Sequence, residues 1–133
     1  MIGSSKARLL PCLLTLVMVL MAGAAVAGEA VEARELWQEF KDDQQGAAAR
    51  YFTRQVTVSG VVIEAGMSIY ATPAIRLSDV QGGDVYVICV LPRVDAFKLS
   101  NFKTGERATL TGTVRHNNKG TIVIKECRAV AVK

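Results

Sequence analysis

The residues able to do chemistry are few and scattered. His116 is the sole histidine of 133 residues. No His-x-x-His, Glu-x-x-His or Cys-x-x-Cys spacing occurs, so no metal site is expected. Gly-x-Ser-x-Gly and phosphate-loop patterns are also missing, and no cofactor is expected. Gly82-Gly83 reads as turn chemistry, because no helix follows to present backbone N–H groups to a phosphate. Asp42-Asp43 falls on the charged face of a predicted helix, a poor place for an acid/base pair. A Ser/Lys pair could meet only in space and leaves no mark in the spacing. With no nucleophile, base and orienting group in a recognisable pattern, the chain is expected not to be an enzyme.

The cysteines depend on the N-terminus. Lys6 and Arg8 precede a charge-free run, Leu9 to Met21, and a small-residue segment ending Ala25-Val26-Ala27. This pattern predicts a secretory signal peptide over 1–27, cleaved before Gly28. The alternative is an uncleaved anchor, since the twenty residues Leu9 to Gly28 can just span a bilayer. Cys12 follows Pro11 inside the apolar run, which is not the setting of a lipoprotein cysteine. Cleavage leaves 106 of the 133 residues, an exported and periplasmic location, and no stable membrane span. It also leaves two cysteines, Cys89 and Cys127, in an oxidising compartment.

The elements follow from hydrophobic spacing. Ala33, Leu36, Trp37, Phe40 and Ala47 make one apolar stripe, opposed by six acids, which predicts a helix over Glu29–Ala49. Gly46 is expected to bend or fray it. Trp37 could stack on a ligand, but its spacing with Leu36 and Phe40 favours an anchor that docks the helix. From Arg54 the texture becomes β-branched and alternating. Strands are expected over Gln55–Val62, Ile69–Ser78, Val85–Leu91, Glu106–Arg115 and Thr121–Val132. Pro73 suggests an edge or a bulge in the second strand, with Ile69, Ala71, Ile75 and Leu77 on one side. The third strand is apolar on both faces and so expected to be covered on both. Gln81–Asp84 and His116–Gly120 read as turns. Pro92–Phe102 reads as a short helix, and a parity shift predicts a bulge near Lys125-Glu126.

Val56–Val62 echoes Ala108–Val114, each with a central glycine. A glycine inside a long strand weakens it unless the strand must bend hard there. Two such strands, five in all, and a helix between the third and fourth match the order of an OB-fold. The expected architecture is mainly β: an N-terminal amphipathic helix in 28–52 packed on a five-stranded OB-fold barrel in 53–133. In that order the third and fifth strands are neighbours. Cys89 and Cys127 can then meet, and a structural disulfide is the reading preferred over two thiols or a redox pair. Closing a loop of this length contributes about 3–4 kcal/mol on the chain-entropy model.

The sequence also resembles the tRNA-anti-like OB-fold family of small exported bacterial proteins. The resemblance runs from Glu35 to Ala131. It is carried by Glu35–Phe40, Ala47–Tyr51, Val56–Gly60, Val87–Cys89, Leu99–Gly105, Thr109–Gly112 and Ile124–Cys127. It implies the fold and no established activity.

Charge divides the chain. Residues 28–49 hold six acids and two bases, whereas 50–133 hold twelve bases and six acids. OB barrels bind oligomers on their second and third strands with rings and cations. The corresponding ligand-binding candidates are Tyr70, Arg76, Tyr86, Arg93 and Lys98. Two function classes stay open: a binding module for an anionic oligomer (nucleic acid or envelope glycan), and a protein-interaction or structural module of the cell envelope. Ordinary surface cations complemented by an acidic helix would look the same in sequence.

Overall fold

The computed structural model describes residues 30–130, so the predicted signal peptide lies outside the described residues. The elements run β1 (Val31–Glu32), α1 (Ala33–Asp42), α2 (Gln44–Tyr51), β2 (Gln55–Met67), β3 (Pro73–Ser78), β4 (Val87–Val90), a 3-10 helix (Arg93–Asn101), β5 (Arg107–Asn118) and β6 (Thr121–Ala129). The sheet order is β1-β2-β3-β4-β6-β5, and β2 also pairs with β5, which closes strands β2 to β6 into a barrel. Only the β4–β6 and β1–β2 pairings are parallel. This is the five-stranded OB order, with the 3-10 helix between its third and fourth strands.

The closing pair is the one whose sequences echo each other. Val56 faces Gly112 and Gly60 faces Ala108 in an antiparallel register. Cross-strand hydroxyl pairs line one side of it, with Ser59 and Thr109 at 2.7 Å and Thr57 and Thr111 at 2.9 Å. The inward side carries Val58, Leu110 and Val114, all fully buried. β2 serves three neighbours in turn: its first half pairs with β5 and, at Val58-Ser59, with β1, while its second half pairs with β3. A strand that changes partners must coil strongly, and Gly60 lies at the change.

The expected single N-terminal helix is two helices. Asp43 leaves helical geometry (φ −151°, ψ 84°) and caps α2, its Oδ1 accepting the Gly46 N–H at 3.1 Å. Gly46 fits because a Cβ there would collide with the Asp43 carboxylate. The break thus comes three residues earlier than expected, from a cap and not from a frayed glycine. Ala33, Leu36, Phe40 and Ala47 of the predicted stripe are all buried. The N-terminal unit also adds a strand that no alternation announced: Val31-Glu32 extends the sheet beside β2, and Glu32 pairs with Arg107 at 2.7 Å.

Several boundaries move. β3 starts at Pro73, not Ile69. The Ser68 hydroxyl accepts the Tyr70 and Thr72 N–H groups, and Ser68-Ala71 closes a turn at 2.9 Å. Ile69 therefore stands in solvent and Ala71 takes φ +58°. Pro73, having no N–H to give, sits at the strand's first position instead of at an edge or bulge. β4 is shorter than expected, and Val87 and Cys89 are buried while Ile88 and Val90 are half-buried, so it is covered fully on one face only. The turn expected over His116–Gly120 shrinks to Lys119-Gly120, both at positive φ, and His116 belongs to β5 opposite Val123. The expected bulge is present. Thr111 faces Arg128 while Thr113 faces Lys125, with Glu126 at φ +56°.

Candidate binding surface

Ile75 and Leu77 point into the barrel, so Arg76 between them lies on the outer face of β3, opposite Ile88 of β4. Glu64 of β2 is Arg76's neighbour on the other side and its ion-pair partner at 3.0 Å. Because β3 and β4 are antiparallel, residues just before each strand lie at opposite ends of this face. Tyr70 is at one end, 77% exposed on the β2–β3 turn. Arg93 lies at that same end, since the chain leaving β4 returns to Pro73 through a 3.0 Å Leu91 N–H bond to its carbonyl. Tyr86 is at the other end, where its N–H donates to Leu77 and its carbonyl accepts from Ile122.

At that second end the N-terminal helices close the barrel. Leu36 and Phe40 enter the core, Arg34 pairs with Asp79 at 3.2 Å just beyond β3, and Gln44 accepts from Asn117 near the β5–β6 turn at 3.1 Å. Trp37 packs on Tyr86 with ring centroids 4.7 Å apart, and the Lys41 ammonium sits 5.0 Å from the indole centroid. Both rings remain half-exposed. A second clamp holds α2 to α1: Tyr51 donates to Glu39 at 2.9 Å, and Arg50 pairs with the same carboxylate at 3.0 Å. Burial, followed by the Glu39 hydrogen bond, raises the Tyr51 pKa.

The five predicted ligand residues do not form one cluster. Tyr70, Arg76, Arg93 and Tyr86 are distributed along the β3–β4 face. Lys98 is elsewhere: it lies on the 3-10 helix, paired with Asp95 at 3.6 Å, at the mouth of a cavity beneath the barrel. Trp37 joins the face instead, beside Tyr86. Its helical spacing announced a docking ring, and it is one, but nothing in that spacing revealed that its partner is another ring of the face.

Cys89 and Cys127 meet inside the barrel, both fully buried and both thiols in this structure. The hydrogen bond with Cys127, and then burial, raise the Cys89 pKa well above that of a free thiol. Cys127 donates to the Ile124 carbonyl at 3.3 Å. Among the described residues no cluster of three or more His, Cys, Asp or Glu could hold a metal ion, and no helix is long and apolar enough to cross a membrane.

The closed barrel, its strand order and its N-terminal plug define an OB-fold protein. The chain belongs to the tRNA_anti-like family, whose model matches residues 20–128. The fold is similar to that of a proposed nucleic acid-binding lipoprotein from Klebsiella pneumoniae. That likeness has a TM-score of 0.65 at 16% identity and covers 82% of this chain and 97% of that one. An OBody bound to hen egg-white lysozyme is also similar over 63% of this chain and 82% of its own, with a TM-score of 0.45 and 19% identity. No curated protein matches the sequence.

Proposed function

We propose that this protein is an exported, non-enzymatic OB-fold binding module that takes a single-stranded anionic oligomer along the outer face of β3 and β4. The observation that carries the reading is the position of α1. It plugs the barrel end through Leu36 and Phe40 and leaves the β3–β4 face with rings at both ends. Tyr70 marks one end and the Trp37–Tyr86 pair the other, with Arg76 between and Arg93 beside Tyr70. The nucleic-acid description of the Klebsiella protein is in keeping with this face, and its lipoprotein nature with export. So is the basic, apolar, small-residue pattern of residues 1–27.

Binding of an oligothymidylate by the purified protein, followed over a salt series, tests the reading. Affinity is expected to be weak and to fall steeply with salt. Arg76→Ala with Arg93→Ala removes two cations and should lower the slope of log K against log salt by about 1.4. Lys98→Ala, off the face, should change the slope far less. Binding that is tight at high salt, or a slope unmoved by the double substitution, overturns the assignment of this face. A protein-interaction role has one observation in its favour, the exposed Met67, Ile69 and Tyr70 on the β2–β3 turn. Absence of any oligonucleotide binding at low salt would favour that role.

A further inference from the structure

The two ends of the barrel are closed in different ways. At the α1 end, Leu36 and Phe40 fill the opening. At the opposite end the 3-10 helix contributes no buried residue, and its Val94 and Phe97 are 81% and 73% exposed. Beneath it lies a cavity of about 470 Å³. Its walls include Val62, Leu91, Phe102, Ala108 and Cys127, which are apolar or nearly so. The volume is in the range that accepts a small organic ligand, roughly 300–1,000 Å³.

The mouth is charged. Asp95 and Lys98 neutralise each other, as do Arg107 and Glu32 across 2.7 Å. Glu106, Lys103 and Arg128 remain, and among the described residues none of the three is in an ion pair. Two of these three unpaired groups are cations and one is a carboxylate, so the lining carries an excess of positive charge beside its apolar residues. A hydrophobic body with an anionic head matches that arrangement. A neutral apolar molecule would forgo the head contact, and a cation would be repelled.

We propose that this cavity is a binding site for an amphipathic anion, a straight-chain aliphatic carboxylate whose chain enters between Val62, Leu91 and Phe102 and whose head meets Lys103 and Arg128. The site is at the far end of the barrel from Trp37 and Tyr86. It is independent of the oligomer face and stands or falls separately from it.

Titration of the purified protein with decanoate, read by amide NMR shifts, tests the proposal, with decanol as the neutral twin. Saturable shifts are expected at Val62, Phe102 and Ala129, with the Trp37 signals unmoved. Decanol should bind more weakly. Lys103→Glu with Arg128→Glu, both at exposed positions, should weaken decanoate by about tenfold and leave decanol unchanged. Ala108→Leu, its fold checked by thermal melting, should weaken both by occupying the interior. Absence of saturable binding, shifts confined to other regions, or equal binding of decanol and decanoate in both the parent and the charge-reversed variant overturns the proposal.

Discussion

Cys89 and Cys127 illustrate how topology acts on single residues. They are far apart in sequence, yet β4 and β6 are parallel neighbours in the barrel, and Cys89 lies opposite Ile124 in that register. The bulge at Lys125-Glu126 then turns Cys127 inward, where its sulfur would be 2.9 Å from a Cβ on Gly112. As a thiol Cys89 is a poor nucleophile at neutral pH, because its raised pKa keeps its proton on. The sign of the linkage follows. A folded-state pKa above the unfolded value of about 8.5 leaves stability intact below that pH and erodes it as pH rises further. Under reducing conditions, denaturant midpoints between pH 7 and 9.5 should therefore fall, and Cys89→Ala should flatten the profile. In the oxidising compartment we propose that the pair closes to a disulfide contributing about 3–4 kcal/mol. Thiol titration of denatured, unreduced protein from the cell envelope should then find no free thiol in the mature chain; two free thiols would refute the bond.

At the scale of elements, the glycines of the closing strand pair decide the geometry. A Cβ on Gly112 would come within 2.8 Å of the Lys125 carbonyl and 2.7 Å of the Ile124 side chain. On Gly60 it would meet the Ser78 carbonyl at 2.8 Å and Ala33 of α1 at 3.2 Å. Backbone atoms cannot step aside as a flexible side chain can, so Gly112→Ala and Gly60→Ala should each cost about 1–3 kcal/mol in urea unfolding. Gly66, also in β2, has open space around its Cβ position, and Gly66→Ala should be neutral or mildly stabilising. These strands were legible because a glycine amid alternating β-branched residues has few structural explanations. The β5–β6 bulge was legible for a similar reason, as a break of parity. The split of the N-terminal helix was not, because Asp43 reads equally well as one more acid on a solvated face until its carboxylate is seen capping α2. The start of β3 was misread because Ile69 and Ala71 continue the alternation that the Ser68 side chain in fact ends with a turn.

For the whole molecule, the barrel order was readable from element count and helix position, whereas the site was readable only in part. Arg76 follows from strand parity, whereas Tyr70, expected on the same strand, lies on the turn before it, and no spacing tells which end of a barrel the connecting helix that carries Lys98 closes. Trp37 shows the complementary difficulty: one ring serves both the plug and the face. The two roles separate by substitution. Phe40 is buried in the core cluster, so Phe40→Ala should lose about 3–5 kcal/mol of stability. Trp37 is half-exposed on Tyr86, and Trp37→Ala should leave a folded barrel with a smaller loss. If the Trp37–Tyr86 pair stacks a base, Trp37→Ala should weaken oligothymidylate binding by about 1–3 kcal/mol. It removes no charge, so the salt slope should stay that of the parent, unlike the Arg76→Ala and Arg93→Ala pair. A folded Trp37→Ala protein that binds as tightly as the parent would confine this ring to docking α1 and leave the face with Tyr70 as its only fully accessible ring.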